Sequence, residues 1–193
     1  MDRLLAASNV VDRVLERIST AVGWLFVACV VVICFDVLSR KFGYQIPGMG
    51  STRLQELEWH LHAALFCFWL GTAYVKNAHV RIDIAVALAK PRTQAWIEFA
   101  GCLVFALPYC LIALYFSWDY TALAWRLNES SDSATGLPYR WIPKAFISIG
   151  LLLLLAAVIS VLLRLIVYLY GPERLRRASA FAGAKAHHAQ GAA

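Results

Sequence analysis

Residues 142–163 read IPKAFISIGLLLLLAAVISVLL, with Lys144 as their one charged side chain. A helix needs about 20 predominantly apolar residues to cross a hydrocarbon core of roughly 30 Å. Three comparable stretches precede this one, at 20–39, 57–75 and 97–116. The sequence therefore predicts an all-α membrane protein with four transmembrane helices and further interfacial amphipathic helices.

Composition and charge agree with a membrane location. The 193 residues are 61% hydrophobic, whereas soluble domains are about half apolar. The net charge is +6, but the Lys and Arg residues flank the apolar stretches and form no continuous stripe. Contact with membrane lipids is therefore expected, and a nucleic-acid partner is not. Most basic residues fall on the side that holds both termini, which predicts a cytoplasmic N-terminus and C-terminus.

The pattern divides the chain into three parts. Residues 1–19 mix charges with apolar residues at helical spacing, which predicts a cytoplasmic amphipathic segment that lies on the membrane surface and turns into the first span. Residues 20–170 form the four-helix transmembrane domain. Residues 171–193, rich in Ala, Gly and His, are expected to form a disordered cytoplasmic tail. No secretory signal peptide is predicted, since no small-residue cleavage pattern follows the first span.

The charged residues in the first half lie close to span ends. Asp36 and Arg40 are four residues apart, so they share a helix face and are expected to pair. Glu56 and Glu58 lie in the first turns of the second span, where the helix dipole favours acids, and Trp59 lies at interface depth. A structural role for these residues is favoured over a catalytic one.

Residues 76–93 contain His79, Arg81 and Asp83, and their apolar residues alternate as in a strand. A lone strand beside a membrane would leave its backbone edges unpaired, so a flat interfacial helix that ends before Pro91 is expected. A helix is predicted from near residue 93 to about 127, with a kink at Pro108. A polar loop follows it.

Residues around this loop are expected to mark the outer interface and a surface for a partner. They are Trp125, Glu129, Ser130, Trp141 and Lys144. Arg164, at the end of the fourth span, is expected to snorkel to the inner surface.

Nothing in the sequence points to an enzyme. The five cysteines all lie within predicted spans, which argues against a disulfide framework. No histidine pair has the i, i+4 spacing of a helical metal site, so neither a metal nor another cofactor is expected. A self-sufficient transporter is disfavoured too, because the midplanes of the spans hold few polar groups.

Several motifs, in this order and spacing, resemble the DctQ-like small membrane subunit of tripartite ATP-independent periplasmic (TRAP) transporters over residues 20–170. They are the Asp36–Arg40 pair, QELEWH at 55–60, GTAY at 71–74, HVRID at 79–83, ESS at 129–131, and LP at 137–138 followed by WIPK at 141–144.

This resemblance implies a bacterial inner-membrane protein that performs no transport step alone. It implies a large DctM-like membrane subunit that carries the substrate and ion sites, and a periplasmic substrate-binding protein that delivers an organic acid for ion-driven symport. The small subunit would scaffold the large one and help to dock the binding protein. The residues leave two alternatives open: a four-helix membrane redox enzyme and a self-contained oligomeric channel.

Overall fold

The computed structural model describes residues 1–44, 46–78, 86 and 88–179. The regular secondary structure among these residues is helical, with no strand. The helices are α1 Asp2–Phe42, α2 Ser51–Val75, α3 Pro91–Gly101, α4 Leu107–Arg126, α5 Trp141–Tyr170 and α6 Glu173–Ala178, with a π-helical segment at Cys102–Ala106 between α3 and α4.

Three helical stretches are long and apolar enough to cross a membrane. They are Asp2–Phe42, Pro91–Arg126 and Trp141–Tyr170, and they contain the first, third and fourth predicted spans. Helix α2 contains the second, but Glu58, His60 and His62 lower its hydropathy. The described part of the chain is thus all-helical with three candidate membrane spans, and the fourth crossing stays a prediction.

Three helix ends share one termination geometry. Gly43, Asn77 and Asn128 have φ values of 67°, 52° and 46°. At each, the next residue bonds the carbonyl five positions earlier, as Tyr44 N–H does to Ser39 at 2.9 Å. Gly and Asn enter the left-handed region at low cost, and the motif satisfies the last carbonyls of the helix. These residues therefore fix where α1, α2 and α4 end.

Two prolines shape the long stretch Pro91–Arg126. Pro91 occupies the first turn of α3, where its missing N–H costs nothing. Pro108 lies just beyond the π-helical segment, in which the Leu107 N–H bonds the Cys102 carbonyl. Proline cannot donate to the helix and its ring crowds the preceding turn. The irregularity therefore lies where the sequence predicted a disturbance of the helix.

The chain divides into two compact units. The first unit comprises Met1–Glu16, Gly71–Ile112 and Leu153–Ala193. Its core is apolar and includes Ala95, Cys102, Cys110, Val158, Leu165 and Leu169.

The second unit comprises Arg17–Leu70 and Ala113–Leu152. Gly150 on α5 lies so near α2 that an added Cβ would be 2.7 Å from the Cys67 carbonyl oxygen. Ser117 and Ser148 join α4 to α5 by a hydroxyl contact of 3.1 Å. Small residues and hydroxyl pairs of this kind let membrane helices pack closely.

The two terminal segments differ from expectation. Helix α1 continues from Asp2 through the apolar stretch, with no turn between a surface segment and a first span. In the predicted tail, Glu173–Ala178 are helical, because Pro172 starts the helix and Glu173 pairs with Arg177 one turn later at 2.9 Å. The predicted interfacial helix at 76–90 falls largely outside the described residues, as do residues 180–193.

Candidate functional site

Glu56, in the first turns of α2, holds the loop 129–140 in place. One carboxylate oxygen accepts the Ser131 hydroxyl, and the other accepts the Leu137 N–H at 2.5 Å. The loop closes on itself as well, because the Ser131 N–H donates to the Leu137 carbonyl at 3.1 Å. We call Glu56, Ser131 and Leu137 the loop clamp.

A second set of contacts fixes the loop to the start of α5. Lys144 Nζ lies 2.5 Å from a Glu129 carboxylate oxygen and 3.8 Å from the centre of the Tyr120 ring. The Trp125 and Trp141 rings stack edge to face with centroids 4.5 Å apart. Both ends of the loop are therefore anchored by side chains of α4 and α5.

Electrostatics keep the clamp carboxylate charged. Burial acts to raise the pKa of Glu56, but the Leu137 N–H, the Ser131 hydroxyl and the Arg140 charge together lower it below its ordinary value. Glu56 precedes the predicted span 57–75. A carboxylate that accepts hydrogen bonds is stabilised in its ionised form, so the clamp is a charge-assisted contact.

A polar cluster lies between α1 and α2 in the second unit. The Asp36 side chain is fully buried and accepts from Arg40, one turn further along α1. The Ser51 hydroxyl donates to the other Asp36 oxygen at 3.3 Å. Deeper along the same pair of helices, Cys29 Sγ lies 3.6 Å from His62 Nδ1. The polar groups on these two helices thus face one another.

The predicted site residues fall into separate groups. Asp36 with Arg40, Glu129 with Lys144, and Trp125 with Trp141 are in contact. Trp59 and Ser130 are exposed.

Glu58 has one buried carboxylate oxygen with no hydrogen-bond partner among the described residues. His79, Arg81 and Asp83 lie outside the described residues. The roles proposed for all these residues stay predictions.

The sequence did not predict a partly buried ion pair in the first unit. Arg164 on α5 donates to Asp12 on α1, and Nε of Arg164 lies 2.8 Å from the Ser8 hydroxyl. The Ser160 hydroxyl donates to the other Asp12 oxygen at 2.6 Å. Arg164 is thus paired within the chain as well as near the end of its span. The sequence does show an acid and a base within mainly apolar helices, which could have suggested an ion pair. It does not show that Asp12 and Arg164 pair with each other, because they are far apart in sequence.

The polar groups at these sites make structural contacts. Among the described residues, no group of three or more His, Cys, Asp or Glu side chains is arranged to hold a metal ion. The groups instead join helices and hold one loop in a defined conformation.

Comparison with protein families identifies a relationship for most of the chain. The model of the family described as tripartite ATP-independent periplasmic transporters, DctQ component, matches residues 29–167. Neither the curated proteins nor the solved structures gave a match. The matched range contains the loop clamp, the Asp36–Arg40 pair and the whole stretch Pro91–Arg126, and it overlaps the other two stretches that are apolar enough to span a membrane.

Proposed function

The chain belongs to the DctQ component family of tripartite ATP-independent periplasmic transporters, and from this membership we propose that it is the small scaffold subunit of such a transporter. Its partners are a large DctM-like membrane subunit and a periplasmic substrate-binding protein. The complex resides in the bacterial inner membrane and takes up an organic acid by ion-driven symport. The chain itself catalyses no reaction.

The distribution of apolar surface supports the scaffold role. In the 18-residue apolar segment of each candidate span, 11% is buried for Asp2–Phe42 and for Pro91–Arg126. For Trp141–Tyr170 the buried share is 33%. Helix α5 is therefore the more enclosed, and the other two present wide apolar faces. Such faces suit lipid or a larger membrane protein.

The loop clamp is the observation that carries the docking role. A surface fixed before binding loses less conformational entropy when its partner arrives. The loop 129–140 is held through Glu56 and Lys144, yet it exposes Ser130, Asp132 and Tyr139. This combination of a fixed backbone and exposed side chains suits recognition by a soluble partner.

Assembly is tested by a pull-down with a matched pair of variants. The tagged chain is extracted from native membranes in mild detergent, and its partners are identified. Arg40→Ala leaves the buried Asp36 carboxylate without its cation, so recovery of the large subunit should fall severalfold. Lys41→Ala removes the neighbouring exposed charge and should have no effect. Equal recovery with both variants would sink the role of the Asp36–Arg40 pair.

Docking is tested by placing bulk on the exposed loop. Ser130→Arg should reduce uptake of a labelled organic acid while the large subunit still co-purifies. Ser130 is exposed and is not one of the residues that hold the loop to the helices. Asp119→Asn, an exposed change on α4, serves as the control. Full uptake by Ser130→Arg would remove the loop from the docking surface without affecting the scaffold role.

The alternatives predict different results from the isolated chain. A channel would give substrate flux through liposomes that hold this chain alone, and a redox enzyme would purify with a chromophore or show thiol-dependent activity. The scaffold proposal predicts neither flux nor an absorbing cofactor.

A further inference from the structure

Arg176 on α6 is half-buried, and the hydrogen bonds of its guanidinium are incomplete. Its Nε is buried and has no hydrogen-bond partner among the described residues. Its Nη2 makes one long contact, 3.4 Å to the Gly171 carbonyl oxygen at the end of α5. A guanidinium has five donors, and buried donors in folded proteins are nearly always satisfied. The side chain therefore calls for an acceptor that the described protein atoms do not supply.

The surroundings of Arg176 resemble a membrane–water boundary. Gly171 follows Tyr170, whose ring packs edge to face on Trp96 with centroids 5.9 Å apart. Tyr and Trp concentrate at the level of the lipid headgroups. Arg92 precedes Trp96 by one helical turn and so shares its face of α3. An aromatic pair and basic residues thus lie near one end of the first unit.

Helix α6 has a net positive charge, which favours binding of an anion. Helix α6 carries three arginines and one acid, Glu173. That acid is taken by Arg177, which it contacts at 2.9 Å, and both of these side chains are mostly exposed. Arg176 therefore has no carboxylate partner on its own helix.

We propose that Arg176, beside the Trp96–Tyr170 ring pair, forms a binding site for the phosphate group of an anionic phospholipid. The planar fork of a guanidinium matches phosphate oxygens in a bidentate manner. Basic residues beside a span add attraction for anionic headgroups, while the aromatic rings lie along the glycerol region. The inference requires that the chain is embedded in a membrane, but it does not depend on the proposed transporter partners.

Lipid titration of the purified full chain in detergent tests the site. Phosphatidylglycerol is added, and native mass spectrometry counts bound lipids and yields the dissociation constant of the first one. Arg176→Gln should weaken this binding about tenfold, because a charge-assisted hydrogen bond is lost. Arg177→Gln removes the same charge one residue away and should change it by less than about twofold, since that exposed side chain is already paired.

A conservative variant guards against misfolding. Arg176→Lys keeps the charge and loses the fork, so it should weaken binding by less than Arg176→Gln does. Circular dichroism and the unfolding temperature report whether each variant is folded. If Arg176→Gln does not fold, the comparison of Arg176→Lys with wild type decides.

Three outcomes would overturn the proposal. Unchanged binding in both folded Arg176 variants would mean that no headgroup meets this side chain. Equal weakening by Arg176→Gln and Arg177→Gln would indicate diffuse attraction to a basic end. Displacement of the lipid by excess inorganic phosphate would make a free anion the ligand in place of a lipid.

Discussion

Glu56 is the residue on which the conformation of the loop 129–140 depends. Its two oxygens accept the Ser131 hydroxyl and the Leu137 N–H, so a single side chain joins α2 to a loop some 80 positions away in sequence. Glu56→Gln replaces one acceptor by a donor and should destabilise the chain by about 2 kcal/mol. Hydrogen–deuterium exchange of the peptide 129–140 should become about tenfold faster or more.

The control for this variant is Asp119→Asn, which makes the same change of charge on an exposed side chain of α4. It should leave exchange in the loop as in wild type. Unchanged exchange in Glu56→Gln would show that the clamp contributes nothing to the order of the loop.

The charge of Glu56 also gives the clamp a pH dependence. Its pKa is lower in the folded chain than its ordinary value of 4.5. The unfolded chain therefore takes up this proton first, so the stabilisation is complete above that value and is lost as the pH falls through the folded pKa. The difference in unfolding temperature between wild type and Glu56→Gln should shrink as the pH is lowered from 7 through this window. A difference that stays constant would mean that the carboxylate charge is irrelevant.

The Asp12–Arg164 pair should matter more than an exposed pair on the same helix. Asp12 and Arg164 expose 16% and 23% of their side chains, whereas Glu16 and Lys76 each expose 58%. Asp12→Asn leaves the partly buried Arg164 charge with neutral acceptors on α1 in place of the carboxylate and should cost about 2 kcal/mol. Glu16→Gln should cost less than about 1 kcal/mol. Thermal unfolding of both variants in detergent compares them, and equal losses would contradict this ranking.

At the scale of elements, the contact of α2 with α5 depends on Gly150. An added Cβ would lie 2.7 Å from the Cys67 carbonyl oxygen, too near for either helix backbone to stay in place. Gly150→Ala should therefore destabilise the second unit by about 1–3 kcal/mol. Gly101 has nothing within 4 Å of such a Cβ, so Gly101→Ala should be neutral or slightly stabilising through helix propensity. Unfolding temperatures that fall equally would refute the close-contact argument.

The elements themselves were largely predictable because their signals are local. The run of apolar residues set the position of each long helix, and the predicted 93–127 helix matches the observed stretch Pro91–Arg126. The Asp36–Arg40 pair followed from the i, i+4 spacing alone. The helical continuity of α1 through the segment before residue 20 was missed, because a surface helix and the start of a long span have similar amphipathic patterns.

The candidate site was predictable only in part, for the opposite reason. Residue type and position led to the prediction that Glu129, Trp141 and Lys144 mark an interface, and this role stays a prediction. Contacts between distant residues could not be predicted. The hydrogen bonds from the Leu137 N–H to Glu56 and from Arg164 to Asp12 depend on which helices pack together. Local patterns in a single sequence do not determine which helices pack together.

At the scale of the whole molecule, contacts within the second unit show in which direction four helices run relative to one another. On α1 and α2, Asp36 meets Ser51 and Ser19 meets Trp69, so these helices are antiparallel. On α4 and α5, Trp125 meets Trp141 and Ser117 meets Ser148, so this pair is antiparallel too.

Helices α2 and α5 run in the same direction. Glu56 meets Leu137, just before α5, and Phe68 meets Phe146 further along both helices. It follows that α1 and α4 also run in one direction. Since both belong to stretches that are long and apolar enough to span a membrane, we expect the chain to return across the membrane between them. Helix α2, with 25 residues, is the one described helix between α1 and α3 that is long enough.

Four crossings therefore predict that the two ends of α2 lie on opposite sides of the membrane. Single cysteines at Met49 and Ala78, both exposed, report this in a full-length chain whose five native cysteines are replaced by alanine. A membrane-impermeant maleimide should label position 49 from the outer face of intact cells, together with position 130. Position 78 should be labelled only after the membrane is opened, together with position 178. If positions 49 and 78 are labelled from the same side, α2 does not cross, the termini lie on opposite faces, and the four-span architecture is wrong.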